Sequence, residues 1–186
     1  MCIRDSITTY VGQWLRGKPH GQGSYTREFK DEATQSYVGE WFEGKPHGQS
    51  TYMYGDEAKY VGQFKHGEWE GQGVLTTSDF DSSGYAPHFS RLSRLCFAYK
   101  KATGGCKCPY LNAKYVGEWF GGEPHGQGTW IYADGSEYVG NFYFGSRHGY
   151  GTFNFADGGN QLWANEFYPH TTLIREAGRL RELTTG

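Results

Sequence analysis

Rings and glycines alternate along this chain in short stretches. Tyr10-Val11-Gly12-Gln13-Trp14 places rings first and fifth and Gly third. Fifteen residues after its Tyr, a second stretch closes as Gly21-Gln22-Gly23-Ser24-Tyr25. An alternation of two is the period of a β-strand, whose successive side chains point to opposite faces. Two such stretches separated by glycine predict a hairpin.

The pattern recurs. Tyr-Val-Gly begins at Tyr10, Tyr37, Tyr60, Tyr115 and Tyr138, with gaps of 27, 23, 55 and 23 residues. The basic period is therefore 23, interrupted by insertions of 4 and 32 residues. With each Tyr as position one, position three is Gly12, Gly39, Gly62, Gly117 and Gly140, and position five is Trp14, Trp41, Phe64, Trp119 and Phe142. Position eight is always Gly, position eleven is His20, His47, Glu70, His125 or His148, and position twelve is Gly21, Gly48, Gly71, Gly126 or Gly149. Position fourteen is Gly except at Ser50, and position sixteen is Tyr25, Tyr52, Leu75, Trp130 or Phe153.

One period holds two short strands and two turns. Gly at position eight, in a segment such as Gly17-Lys18-Pro19-His20, is expected to turn the hairpin, and Asp134-Gly135 and Asp157-Gly158 to link or end copies. A glycine leaves bare sheet over which a neighbouring ring can lie flat. One hairpin is marginal alone, but stacked hairpins bury their rings against each other. The expected fold is all-β: an elongated, twisted antiparallel ribbon of hairpins, about 50–60 Å long at the usual strand spacing. Trp163-Ala164-Asn165-Glu166-Phe167 reads as the start of a degraded sixth, capping copy.

Tyr115-Val-Gly-Glu-Trp-Phe-Gly-Gly-Glu-Pro-His-Gly-Gln-Gly-Thr-Trp-Ile-Tyr-Ala-Asp-Gly135 and its counterparts resemble the MORN repeat (membrane occupation and recognition nexus). The resemblance covers roughly residues 10–76 and 115–160 and implies a β-hairpin solenoid. It implies scaffolds, membrane-junction tethers, cytoskeletal organisers, or regulatory arms of lipid kinases and SET-type methyltransferases, in eukaryotic settings. Trp69-Glu70 in the third copy and Ser50 in the second depart from the pattern and put local turn geometry in question.

Composition narrows the picture. Gly is 29 of 186 residues and rings are 18%, too many rings for a disordered chain. The net charge of -2 argues against nucleic acid as a partner. Four Cys make no disulfide framework, so a reducing, cytoplasmic setting is expected, with peripheral placement at a membrane or cytoskeleton. Met1-Cys2-Ile3-Arg4-Asp5-Ser6 matches the translation of a sequencing-library transposon end and is expected to be a scar. The chain then divides into the scar (1–6), three copies (7–76), an insert (77–114), two copies (115–160) and a degenerate cap (161–186).

Little of this points to catalysis. Gly17-Lys-Pro-His-Gly-Gln-Gly23 lacks phosphate-loop spacing, and strand follows where a helix is required. A histidine once per copy suits a local task, such as bonding the turn backbone. Position four varies among Gln, Glu and Asn, so its charge is dispensable. His88, Cys96, Cys106 and Cys108 fit no common zinc spacing, and free thiols are expected. The expectation is no enzyme, no metal and no cofactor.

The insert differs. Residues 85–114 carry Arg91, Arg94, Lys100, Lys101, Lys107 and Lys114 and no acidic residue. Phe89, Leu92, Leu95, Cys96 and Tyr99 fall on one helical stripe, predicting a basic amphipathic helix near 89–101. Arg91, Arg94, Lys100, Lys101, Leu92, Leu95 and Tyr99 are the candidate residues for an anionic lipid surface or a partner groove. The alternative is a helix packed on the ribbon with its charges solvated. Both insertions should project from one side of the ribbon. Leu173, Ile174, Ala177, Leu180 and Leu183 predict a short helix near 172–183, weakened by Gly178. Three functions follow: a protein scaffold or tether, a membrane-associating module, or the regulatory arm of an enzyme.

Overall fold

Each copy folds into a hairpin because its two alternating stretches meet across a two-residue turn. The computed structural model describes residues 6–29, 34–55, 58–78, 112–165, 171–176 and 179–184, with side chains as far as Leu162. Strand β1 (Ser6–Leu15) pairs with β2 (Lys18–Phe29), and β3 (Gln35–Phe42) with β4 (Lys45–Tyr54). Likewise β5 (Ala58–Lys65) pairs with β6 (Glu68–Thr77), β7 (Lys114–Phe120) with β8 (Glu123–Ile131), and β9 (Glu137–Tyr143) with β10 (Ser146–Asn154). The hairpins also pair with each other, so all lie in one open antiparallel sheet whose strand order is the chain order. No helix occurs among the described residues.

The turns sit slightly earlier than expected. Both Arg16 (φ 51°) and Gly17 (φ 74°) are left-handed, as are Glu43-Gly44, His66-Gly67, Gly121-Gly122 and Phe144-Gly145. Two left-handed residues are the signature of the type I′ turn, whose twist matches that of the flanking strands. The turn is therefore Arg16-Gly17, and Lys18-Pro19-His20 already belongs to β2. The third copy turns like the rest, with Trp69-Glu70 inside β6. Turns are stitched copy to copy: Gly44 N–H donates to Pro19 O at 2.9 Å, Gly67 to Pro46 O at 2.9 Å and Gly145 to Pro124 O at 2.9 Å.

A second use of glycine lies at position twelve. Between the pairs Gly39↔Ser50 and Glu40↔His47, β4 carries two extra residues, Gly48 and Gln49. Gly48 is left-handed (φ 60°), a conformation that side-chain-bearing residues rarely adopt. The position-four side chain clamps this bulge. Gln22 N–H donates to Gln13 Oε1 at 3.3 Å, Gln72 N–H to Gln63 Oε1 at 3.4 Å, and Gln127 N–H to Glu118 Oε1 at 3.0 Å. Any side chain with a terminal oxygen serves here, which accounts for the mixture of Gln and Glu.

Register lines the core residues into lanes. Tyr10, Tyr25, Tyr37, Tyr52, Tyr60, Leu75, Tyr115, Trp130, Tyr138 and Phe153 oppose one another in succession across ten strands. Beside them run Gly12, Gly23, Gly39, Ser50, Gly62, Gly73, Gly117, Gly128, Gly140 and Gly151. The position-one rings lie over this bare lane, so a Cβ on Gly73 would sit 2.4 Å from Tyr60 Oη. Each position-one hydroxyl donates to the position-four carbonyl, as Tyr10 to Gln13 O at 2.9 Å and Tyr115 to Glu118 O at 2.9 Å.

Position five completes the core. Trp41 meets its own Tyr37 edge to face at 4.9 Å and Tyr10 of the preceding copy at 5.2 Å. Phe64, Trp119 and Phe142 repeat both contacts, linking all five copies through one chain of T-shaped ring pairs. The departures are absorbed locally. Trp69 stacks flat on Tyr60 at 4.3 Å, and Ser50 Oγ hydrogen-bonds Tyr37 Oη at 2.5 Å.

Burial pushes the phenols of Tyr37, Tyr60, Tyr115 and Tyr138 above their ordinary value, and that of Tyr52 to about 12. The folded state thus favours the neutral phenol. The resulting stability is complete below the unfolded tyrosine pKa of about 10 and is lost as pH rises through the folded values. Alkaline titration should therefore unfold the sheet between about pH 10 and 12. Circular dichroism and tyrosinate absorbance are expected to change together there; tyrosinate appearing with the sheet intact would contradict this.

At the far end β11 (Asn160–Asn165) pairs with β10. Gln161 opposes Phe153 and Trp163 opposes Gly151. The capping strand therefore enters the ring lane at Gln161, two residues before the Trp163 start inferred from the sequence. The backbone continues as β12 (Thr171–Glu176) and β13 (Arg179–Thr184); the helix expected near 172–183 spans residues 177–178, which lie outside the described residues.

Candidate interaction surface

The sheet is a single layer, so positions two, four and six face away from the core. Register again produces lanes. Val11, Ser24, Val38, Thr51, Val61, Val74, Val116, Thr129, Val139 and Thr152 oppose one another across ten strands. The position-two valines are exposed, from 38% at Val116 to 67% at Val11. Next comes a polar lane in which Gln22 opposes Glu40, Gln49 opposes Gln63, Gln72 opposes Glu118 and Gln127 opposes Asn141.

Beside the turns runs a third row, of rings and imidazoles. His20 packs on Phe42 at 5.4 Å, Phe42 on His47 at 5.6 Å, and His47 on His66 at 5.8 Å. In the later copies Phe120 packs on His125 at 5.5 Å, His125 on Tyr143 at 5.2 Å, and Tyr143 on His148 at 5.4 Å. In the third copy Glu70 replaces the imidazole, and its Oε2 accepts from the turn N–H of Gly121 at 3.3 Å. Phe42, Phe120, Tyr143 and Phe144 remain exposed. The recurring histidine is thus a spacer between rings. Nδ1 of His47 and of His125 is buried with no hydrogen-bond partner, so the expected bond from imidazole to turn backbone is not made by that atom. The histidine main chain takes part instead, His47 O accepting from Tyr37 Oη at 3.2 Å.

Chemical convergence is absent from this face. Among the described residues no three His, Cys, Asp or Glu side chains gather to hold a metal ion. What the face offers is area: a band of valine and threonine bordered by Gln/Glu and by a ring row.

The insert leaves and returns at the opposite edge. Ser78 and Asn112 flank residues 79–111, and β6 and β7 close below them, with Thr77 N–H donating to Ala113 O at 2.9 Å. Residues 30–33 lie at the equivalent place between β2 and β3, so both insertions emerge along the edge away from the type I′ turns. The candidate lipid-binding residues Arg91, Leu92, Arg94, Leu95, Tyr99, Lys100 and Lys101 lie outside the described residues, as do His88 and the cysteines of the insert. By contrast, the repeat-defining residues are all placed. Tyr10, Tyr37, Tyr60, Tyr115 and Tyr138, with Trp14, Trp41, Phe64, Trp119 and Phe142, form one face over Gly12, Gly39, Gly62, Gly117 and Gly140. Gly21, Gly48, Gly71, Gly126 and Gly149 make the bulges.

Sequence reasoning missed the valine lane as a surface. Its signal was present in the invariance of position two, which a strand alternation sends to the face opposite the rings. Comparison with protein families finds the MORN repeat at residues 10–28, 37–58, 60–82, 115–137 and 138–160, well over half of the chain. No curated protein matches it.

Proposed function

The chain belongs to the MORN-repeat family, and from that premise we propose that it is a non-catalytic scaffold that binds protein partners through the Val/Thr face. The observation that carries this reading is the row of exposed position-two valines from Val11 to Val139, backed by the ring-over-glycine core on the other face. Among the described residues no His, Cys, Asp or Glu cluster gathers on this face, and what it presents is area, as a tether requires.

A triple variant, Val61→Glu, Val116→Glu and Val139→Glu, tests it. These side chains are exposed, so the sheet should stay folded by circular dichroism. Proximity labelling in cells should lose the proteins marked by the parent chain. An unchanged set of labelled proteins would remove this face from the function.

A second reading is an anionic membrane surface, favoured by the six basic residues and no acidic ones in 85–114. Co-sedimentation with phosphatidylserine vesicles should then appear at low salt and vanish at high salt. It should also vanish when Arg91, Arg94, Lys100 and Lys101 are changed to Glu. No binding at low salt rejects this reading and leaves the scaffold reading standing.

A further inference from the structure

The exposed face is most apolar at the join between the third and fourth copies. There β5, β6 and β7 lay Val61, Val74 and Val116 side by side; elsewhere among the described residues valine alternates with serine or threonine. Along one side of these valines run Lys59, Thr76 and Lys114, and along the other Gln63, Gln72 and Glu118.

Strand β7 carries both signs of charge, one on each side of its valine. Lys114, Val116 and Glu118 alternate with buried Tyr115 and Gly117, so all three face outward. Within one chain Lys114 and Glu118 are four residues apart, roughly 13 Å at the usual strand rise, and cannot meet. The cross-strand neighbours of Lys114 are Thr76 and Ile131, neither of them acidic. Glu118 is held in place, because its Oε1 accepts from Gln127 N–H at 3.0 Å.

This order is its own complement. Stacked sheets pack face to face about 10 Å apart. A two-fold axis along the valine lane reverses strand direction and lays β7 over β7 of a second copy. Val116 then meets Val116, and Lys114 meets Glu118 twice by symmetry. A two-fold axis along the strands sets lysine over lysine instead: Lys59 over Lys114 when it follows β6, and Lys114 over Lys114 when it follows β7. Facing like charges are costly, so the charges select the first arrangement.

We infer that the valine face docks a second copy of this chain, β7 antiparallel over β7, with the valines between the sheets and a Lys114–Glu118 pair on either side. The inference rests on the reading of this face as the binding surface, and it names a partner for it.

Sedimentation equilibrium of the full chain tests this. The parent should show a concentration-dependent dimer. Lys114→Glu and Glu118→Lys should each weaken it about tenfold, because each turns both facing pairs into like charges. An equimolar mixture of the two variants should restore association, since every facing pair is then opposite. The double variant should restore it too. It lacks the clamp on Gln127 just as Glu118→Lys does, so its recovery assigns the loss to charge and not to the bulge. A parent that stays monomeric overturns the inference. So does a dimer that either single variant leaves unchanged, or a mixture or double variant that associates no better than the single variants. A monomeric parent whose labelled proteins are still lost in the triple valine variant keeps the face as a binding surface and rejects only its self-pairing.

Discussion

Replacing Gly73 by Val should cost about 3 kcal/mol of stability, measured by urea unfolding. The backbone there is not left-handed, so the penalty comes from the ring above. A Cβ at Gly73 would lie 2.4 Å from Tyr60 Oη and 2.6 Å from two ring carbons. Tyr60 is fully buried and touches Phe64, Trp69 and Trp119, so it has nowhere to move without breaking three ring contacts. Its hydroxyl would also lose the bond to Gln63 O at 3.0 Å. Gly73→Ser should cost less, because Ser50 occupies the same lane and bonds the tyrosine above it. A Val variant as stable as the parent would show that the ring does not rest on the glycine.

Trp119→Ala should cost more, about 3–5 kcal/mol, the usual range for emptying a buried aromatic site. Trp119 is 2% exposed and packs on Tyr60, Trp69 and Tyr115. Trp119→Phe should cost under about 1.5 kcal/mol, a volume-adjusting swap. Phe already fills this position at Phe64 and Phe142, and the Trp119 Nε1–H is buried without a hydrogen-bond partner. Trp119 also joins β7 to the third copy across the insert. The Ala variant should therefore unfold in two steps, the copies before and after the insert separating, where the parent unfolds in one. Equal losses for Ala and Phe would refute the packing account.

The hairpins and their glycine columns were legible because period two and period 23 are written directly in residue type. Gly at position eight was legible as a turn residue, but its left-handed partner precedes it and is Arg, Glu, His, Gly or Phe, so the rest of the turn was placed one residue late. Composition does not reveal that a residue such as Phe144 is left-handed; hairpin geometry imposes it. The clamp at position four was hidden for a related reason. Gln and Glu look interchangeable in charge, but what they share is an oxygen at the right reach. At the capping strand, Trp163 was a false guide because its ring resembles position one while register puts Gln161 there. The exposed face was legible only in part, since a small apolar residue at every second place reads equally well as core or as surface.

Strand order that follows chain order has a consequence for how the molecule is made. Every strand finds its partners among its immediate successors and predecessors, so apart from the insert between β6 and β7 no long loop must close before a contact rewards it. Hairpins can set in turn as the polypeptide leaves the ribosome, each new one growing on the last. Duplicating or deleting one unit in the gene would lengthen or shorten the array while leaving every other unit with the same kind of neighbour.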